Sequence, residues 1–170
     1  KSKGKVSDLE SHFNNEKDKR GKIGIGHTRW ATHGPPNQIN SHPHLSNSGE
    51  ISLVHNGIIE NYGSIKKILL QKGYTFNSDT DSEVLVNLIE YIKKTKNVSF
   101  GKSVYYALKQ VVGAYAIVAF DSSNPKELIG ARLGSPLAIG VGDSEYYFGS
   151  DSTPFLEYTK KCVYLNDNEL

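Results

Sequence analysis

Arginine is the rarest basic side chain in this sequence, which uses lysine for nearly all of its positive charge. Lysine occurs 17 times, whereas the arginines are Arg20, Arg29 and Arg132. A guanidinium can bind a carboxylate through two parallel hydrogen bonds, which an ammonium cannot do. Arg29 lies between a predicted strand and a long predicted loop, a common place for ligand-binding residues. It is predicted either to bind a carboxylate ligand or to form a structural salt bridge.

Histidines are concentrated in the same region of the chain. A metal site is disfavoured, because the segment lacks a His-Glu-x-x-His helix and is rich in glycine and proline. The alternatives are hydrogen-bonded loop residues or a polar active-site loop, and we favour the second. Five of the six histidines belong to this group: His27, His33, His42, His44 and His55.

Three further positions carry groups that can bind or polarise a substrate. Asn56-Gly57 is either a hairpin turn or an oxyanion site built from a side-chain amide and a backbone N–H. Asp81 is either a carboxylate that starts a helix or a partner for a substrate ammonium. Trp30, the one tryptophan, either covers the core or acts as a mobile lid.

Composition limits the possible classes of protein. The 170 residues predict one domain, and a formal net charge of +2 argues against a dedicated nucleic-acid binder. The longest apolar run, 114–120, is far too short to span a membrane. No secretory signal is visible, so the cytoplasm is the expected compartment. The one cysteine, Cys162, lies in a strand-like run without a nearby histidine, which favours a structural role.

The hydrophobic pattern predicts the elements that must position these residues. Residues 22–28 and 51–54 alternate like strands and flank a long loop, 29–50. Helices are predicted from the Asn61 cap to Gly73, after the acidic cluster at 79–83, and over 100–111. The second helix should bury one stripe of apolar residues, which is formed by Val84, Leu85, Leu88, Ile89 and Ile92.

The remainder of the chain changes to the period of strands. Strands are predicted over 114–120, 127–132, 136–141, 145–148 and 161–165, with a short helix at 153–158. Consecutive strands favour antiparallel pairing, so the predicted class is α+β. Residues 1–20 are expected to be a polar leader, either frayed or a short helix, before a domain at 21–170.

Several runs of the sequence together resemble one family. They are GHTRWATHG at 26–34, NSHPH at 40–44, VHNGIIEN at 54–61, GYTF at 73–76, SDTDSE at 78–83, GAY at 113–115, RLGSPL at 132–137 and SD at 150–151. In this order they resemble the glutaminase domain of the glutamine–fructose-6-phosphate aminotransferase family, a class II glutamine amidotransferase domain. The resemblance covers nearly the whole chain.

This resemblance implies an N-terminal-nucleophile hydrolase fold, a four-layer αββα sandwich with two antiparallel sheets. It implies hydrolysis of L-glutamine to L-glutamate by an N-terminal cysteine whose own α-amine acts as the base. The ammonia would pass to a sugar-isomerase domain, which makes glucosamine 6-phosphate from fructose 6-phosphate. No cofactor, metal, nucleic acid or membrane is implied.

Roles for individual residues follow from the resemblance. It implies that Arg29 binds the α-carboxylate of glutamine and that Asp81 binds its α-ammonium. The Asn56 side chain and the Gly57 N–H would form the oxyanion hole. The remaining positions would line the pocket or gate the ammonia channel: Thr32 and His33 for the pocket, Trp30 for the channel.

One departure from the family concerns the nucleophile. The family begins with a cysteine and several tens of residues, including its first strands, before the region that matches Lys1, and Cys162 lacks a free α-amine. We therefore expect an N-terminally truncated glutaminase domain, without turnover as given and without the sugar-isomerase domain. The alternatives are the glutaminase domain of another amidotransferase and a non-catalytic glutamine-binding module.

Overall fold

The computed structural model describes residue 1 and residues 5–15, 21–29 and 34–170. Within these residues the helices are α1 (Val6–Asn14), α2 (Tyr62–Gln71), α3 (Asp81–Lys96) and α4 (Phe100–Leu108). The strands are β1 (His44–Leu45), β2 (Ile51–Ile59), β3 (Gly113–Asp121), β4 (Leu128–Leu133), β5 (Ala138–Val141), β6 (Tyr146–Gly149) and β7 (Cys162–Tyr164). A short 3-10 helix, Thr153–Phe155, precedes β7.

The strands form two antiparallel sheets. The first has the order β1-β2-β3-β4, and the second has the order β6-β5-β7. The longest ladder joins β2 to β3, from Ile51 opposite Asp121 to Ile59 opposite Gly113. The predicted α+β class with antiparallel sheets is confirmed, and the five strands predicted after residue 113 agree with β3 to β7 within one or two residues.

Alternation along the central strands builds two cores. On β2 and β3, side chains such as Leu53 and Ile117 pack against helices α2, α3 and α4. The neighbouring side chains, Val54 and Val118 among them, face the second sheet. Phe155 of the 3-10 helix is buried against β5, where a Cβ at Gly140 would lie 2.6 Å from its ring.

Helix α3 is the central helix, since it packs against α2, α4 and β2. It was predicted after the acidic cluster at 79–83 and begins at Asp81, inside that cluster. The hydroxyl of Thr80 caps it by accepting a 3.2 Å hydrogen bond from the backbone N–H of Glu83. Three lysines in the last turn suit the negative end of the helix dipole. All five residues of the predicted apolar stripe are buried, but burial is not confined to that stripe, because every residue from Asp81 to Glu90 is buried.

Two predicted strands differ from the structure. Residues 22–28 form no strand, because no described strand pairs with this segment, although Ile25 does pack against the core between the sheets. The strand predicted over 51–54 continues to Ile59, so the Asn56-Gly57 turn is wrong. The long ladder with β3 outweighs the local preference of Asn-Gly for a turn.

One helix cap and one helix end also differ from the prediction. Asn61 stands before α2, but its side chain makes no capping bond. Instead it accepts a hydrogen bond from the N–H of Val112 and donates one to the carbonyl of Gln110. Helix α4 ends at Leu108, short of the predicted 111. Among the described residues, no helix combines the length and the apolar character needed to cross a membrane.

Candidate active site

A cavity of about 270 Å³ opens where the second half of β2 meets the first turn of α3. Four of the residues singled out in the sequence line it together: Arg29, Asn56, Gly57 and Asp81. The other lining residues are His27, Thr28, His42, His55, Thr80 and Ser82. The remaining predicted site residues, Trp30, Thr32 and His33, lie outside the described residues.

Asp81 is the first residue of α3, and it is only 3% exposed. Its Oδ2 accepts a 2.8 Å hydrogen bond from the backbone N–H of Ile59, at the end of β2. The Nδ1 atom of His55 lies 3.9 Å from the same oxygen, and it is 2.9 Å from the hydroxyl of Ser82. A carboxylate at this position interacts favourably with the positive end of the helix dipole. The Asp81 side chain is therefore held in place at the cavity wall.

Arg29 brings a positive charge to the same cavity. Its side chain is half-buried, and its guanidinium donates to the backbone carbonyls of Gly34 (3.3 Å) and Pro35 (3.5 Å). These bonds hold the guanidinium against the backbone of Gly34 and Pro35. The cavity thus presents one cation and one anion, which are the charges that complement an amino-acid head group.

Asn56 lies in the middle of β2, and its amide is held at both ends. Its Oδ1 accepts a 2.6 Å hydrogen bond from Nε2 of His27, and its Nδ2 donates a 3.0 Å bond to the hydroxyl of Ser150. An amide nitrogen carries two hydrogens, so one hydrogen stays available for a further acceptor. Asn56 is exposed, so its amide can reach a ligand in the cavity.

Gly57 follows on the same strand, opposite Tyr115 of β3. Its φ of 130° is one that side chains rarely allow, and a Cβ at this position would lie 2.0 Å from the carbonyl oxygen of Ala114. Only glycine therefore fits here, and its backbone remains uncovered by a side chain at the cavity.

Three histidine rings lie in contact beside these groups. The ring centroids of His27 and His42 are 4.2 Å apart with the rings tilted by 31°, and those of His42 and His44 are 4.8 Å apart in an edge-on arrangement. Burial, followed by the neighbouring imidazoles and Arg29, lowers the pKa of His42 to about 2. Burial also lowers the pKa of His44 to about 3; its Nε2 lies 3.1 Å from the hydroxyl of Thr80. Both rings are neutral near pH 7, so they act as hydrogen-bonding groups.

No group of three or more His, Cys, Asp or Glu side chains in the described part of the chain is arranged to hold a metal ion. The histidines instead contact one another and polar side chains around the cavity, as a polar active-site loop would. His27, His42 and His55 line the cavity, and His44 lies buried beside Thr80.

The loop before α3 is fixed by a buried carboxylate. Glu83 accepts hydrogen bonds from the N–H groups of Asn77 (2.9 Å) and Ser78 (2.7 Å), and from the Ser78 hydroxyl (2.6 Å). The sequence predicted Glu83 only as part of an acidic cluster before a helix. The sequence did not predict that the hydroxyls of Thr80 and Ser82 contact His44 and His55. Hydroxyl residues at the start of a helix are also ordinary capping residues, so their presence there does not indicate such contacts.

Cys162 lies outside this cavity. It is half-buried on β7, where it pairs with Gly140 of the second sheet, and it does not line the site. Its predicted structural role stays a prediction.

Curated enzymes of one name match the chain over its full length. The chain is 54% identical to a glutamine–fructose-6-phosphate aminotransferase (isomerizing) of Bacteroides thetaiotaomicron. It is 49% identical to the enzyme of the same name from Chlorobaculum tepidum. The chain spans 28% of the length of each of these curated relatives.

Solved structures share the fold. A glutamine phosphoribosylpyrophosphate amidotransferase from B. subtilis matches with a TM-score of 0.64 at 28% identity, over 82% of this chain and 29% of that one. A structure described as the allosteric regulatory enzyme of purine biosynthesis matches with a TM-score of 0.66 at 30% identity, over 82% of this chain and 30% of that one. These neighbours confirm the N-terminal-nucleophile hydrolase fold.

A family model described as a glutamine amidotransferase domain matches residues 7–170, which is nearly the whole chain. Both sheets, the cavity and all of the motifs that carry the resemblance lie within that match. The protein belongs to the family of glutamine amidotransferase domains.

Proposed function

We propose that this chain is the glutaminase domain of a glutamine–fructose-6-phosphate aminotransferase, acting in the cytoplasm. The domain hydrolyses L-glutamine to L-glutamate, and the ammonia serves the synthesis of glucosamine 6-phosphate from fructose 6-phosphate. One observation carries the proposal: a single cavity presents a guanidinium, a buried carboxylate, and an amide beside an uncovered glycine backbone. The relatives named above support the choice of pathway.

Substrate recognition uses the two opposite charges of the cavity. Arg29 binds the α-carboxylate of glutamine, and Asp81 binds its α-ammonium. The position of Asp81 supports this, because its carboxylate is ordered by Ile59 and by the helix dipole before any ligand arrives. A site that is ordered in advance loses less entropy when it binds. Thr32 and His33 are proposed to line the same pocket.

The chemistry develops a negative charge on the side-chain carbonyl oxygen of glutamine. A thiolate attacks the amide carbon of glutamine. The amide nitrogen then takes up a proton, the C–N bond breaks, and ammonia leaves. Water hydrolyses the resulting thioester to glutamate. The Asn56 amide and the Gly57 N–H stabilise the oxyanion. The bonds of Asn56 to His27 and Ser150 support this role, because they hold the amide in one orientation.

The cysteine of the reaction is the N-terminal cysteine that the family resemblance implies. Cys162, the one cysteine in this sequence, lies on β7 outside the cavity. The described residues therefore supply substrate binding and oxyanion stabilisation. Trp30 is proposed to gate the passage of ammonia towards a sugar-isomerase domain, which is the proposed partner.

A second candidate is the glutaminase domain of a different amidotransferase. The solved structures that match this fold favour it as the alternative, since one of them is a glutamine phosphoribosylpyrophosphate amidotransferase. The glutaminase chemistry is the same in both cases. The two candidates differ in the compound that accepts the ammonia.

The test uses the full-length gene product, supplied with L-glutamine and either fructose 6-phosphate or phosphoribosylpyrophosphate. Glutamate release and the aminated sugar product are both quantified. We expect glutamate and glucosamine 6-phosphate in equal amounts. Glutamate release that requires phosphoribosylpyrophosphate would support the second candidate. Binding of L-glutamate without any glutamine turnover would indicate a non-catalytic glutamine-binding module.

A further inference from the structure

Asn40 joins the two segments that carry the charges of the cavity. Its side chain is 1% exposed although it lies in an irregular loop. Its Nδ2 donates a 3.0 Å hydrogen bond to the carbonyl of Pro35, and its Oδ1 accepts a 3.1 Å bond from the backbone N–H of Asp79. The same Nδ2 lies 3.5 Å from Oδ2 of Asp79. One amide thus bridges residues that are far apart in sequence.

At one end, the Asn40 amide binds Pro35, which also binds the Arg29 guanidinium. The carbonyl of Pro35 accepts from both Asn40 and the Arg29 guanidinium, and the carbonyl of Gly34 accepts from Arg29 as well. Gly34 has φ of 73°, and a Cβ here would lie 2.5 Å from Nδ2 of Asn40 and 2.8 Å from Cβ of Asp79. The loop is therefore in close contact with the bridge.

At the other end, the Asn40 amide binds the backbone of Asp79, just before the start of α3. Asp79 stands two residues before Asp81. The backbone between them is ordered by the Thr80 cap, and the residues just before it are bound by the Glu83 carboxylate. A displacement of Asp79 therefore moves the helix start, and with it the Asp81 carboxylate. The contacts run from Arg29 through Pro35 and Asn40 to this point.

We propose that Asn40 is a positioning residue that sets the spacing between the Arg29 guanidinium and the Asp81 carboxylate. This inference rests on the proposed function, in which these two groups bind the two charges of an amino-acid head group. A ligand that needs both groups at once depends on their spacing. A ligand that needs only the guanidinium does not, so the two kinds of ligand separate spacing from general folding.

The experiment measures dissociation constants by calorimetry on the full-length gene product, with L-glutamate and with glutarate, which lacks the α-ammonium. The variants are Asn40→Ala, Asp81→Asn and Asn47→Ala. Asn47 is the control, since its side-chain amide also forms two hydrogen bonds with a distant backbone, one to the carbonyl and one from the N–H of Thr75. Asn47 does not line the cavity. Thermal unfolding and circular dichroism report whether each variant folds.

We expect Asn40→Ala to raise the Kd of L-glutamate about tenfold and that of glutarate less than about twofold. Asn47→Ala should change neither value. In the Asp81→Asn background, Asn40→Ala should cause little further rise in the Kd of L-glutamate, because the Asp81 carboxylate is then already missing. If Asn40→Ala does not fold, Asn40→Ser decides in its place. Its hydroxyl is too short to bind both Pro35 and Asp79, and the same selective loss is expected.

Two results would overturn the inference while leaving the proposed function intact. One is an unchanged Kd of L-glutamate in Asn40→Ala while Asp81→Asn raises it. The other is an equal loss for L-glutamate and glutarate, which would indicate a general effect on the fold or on Arg29. Failure of the proposed function looks different: the unmodified protein would bind neither ligand, or Asp81→Asn would leave L-glutamate binding unchanged.

Discussion

The Nε2 atom of His27 lies 2.6 Å from the Oδ1 atom of Asn56, although 29 residues separate them in sequence. An amide oxygen only accepts hydrogen bonds, so the imidazole must carry its proton on Nε2. This bond fixes which end of the Asn56 amide faces His27 and which end faces Ser150. The orientation of the proposed oxyanion donor is therefore set by the imidazole next to it.

Asn56→Ala tests this donor. We expect kcat for glutamine hydrolysis by the full-length gene product to fall about 10²–10³-fold with little change in KM, because the lost bond forms mainly in the transition state. Asn61→Ala is the matched control, since Asn61 bonds to Gln110 and Val112 away from the cavity. Equal losses of kcat in the two variants would contradict the assigned role.

Arg29→Lys tests the binding of the α-carboxylate. A lysine keeps the charge but cannot form two parallel bonds, so the rise in melting temperature caused by L-glutamate should disappear. Arg132→Lys is the control, because Arg132 binds the carbonyl of Leu165 and the carboxylate of Asp167 and does not line the cavity. A full thermal shift in Arg29→Lys would rule out the role of Arg29.

Asp81→Asn tests the binding of the α-ammonium. The amide oxygen can still accept from the N–H of Ile59, so the helix start should hold while the charge is lost. We expect KM for L-glutamine to rise about tenfold or more, because a hydrogen bond to a charged group contributes about 1.5–3 kcal/mol. Asp167→Asn, which alters an exposed ion pair with Arg132, should leave KM unchanged.

Local pattern predicted α3 well and the Asn56-Gly57 segment badly, for related reasons. The apolar residues of α3 repeat every three to four positions, and this spacing is visible in the local sequence. Asn-Gly has a strong local preference for turns, yet here both residues pair with β3. That partner lies about sixty residues further along the chain, so the sequence around Asn56 does not reveal it.

In the site too, the sequence indicates some residues, whereas others are recognised only from contacts in the folded chain. The rarity of arginine and the place of Arg29 before a long loop single out this residue in the sequence. The family resemblance implies roles for Arg29, Asp81, Asn56 and Gly57. The bridge through Asn40 was not predicted, because an asparagine in a loop rich in proline and serine looks like an ordinary turn residue. Its contact with Asp79, 39 residues away, exists only in the folded chain.

The buried histidines predict a pH dependence of stability. The pKa of His44 is lowered from 6.5 to about 3 in the folded protein, so between these values the unfolded chain binds more protons. Stability should therefore fall as the pH falls from about 6.5, by about 1.4 kcal/mol per pH unit for one such histidine. His44→Gln should reduce the slope of the free energy of unfolding against pH, measured by urea unfolding between pH 6 and pH 4. An identical slope in both proteins would contradict the assignment.

Gly57→Ala tests the need for glycine at the cavity. The added Cβ would meet the carbonyl oxygen of Ala114 at a φ that alanine avoids, so unfolding free energy should drop by at least about 2 kcal/mol. Gly63→Ala is the control, because Gly63 lies in α2, where an added Cβ would meet no atom within 4 Å. That variant should be neutral or slightly more stable.

The most direct test of the proposed glutaminase function is the stoichiometry of the full-length gene product on L-glutamine and fructose 6-phosphate. We expect one glutamate released for each glucosamine 6-phosphate formed, and a fall of about 10²–10³-fold in the rate of formation of both products in Asn56→Ala. No glutamate release under conditions where the unmodified protein is folded and binds fructose 6-phosphate would contradict the central claim.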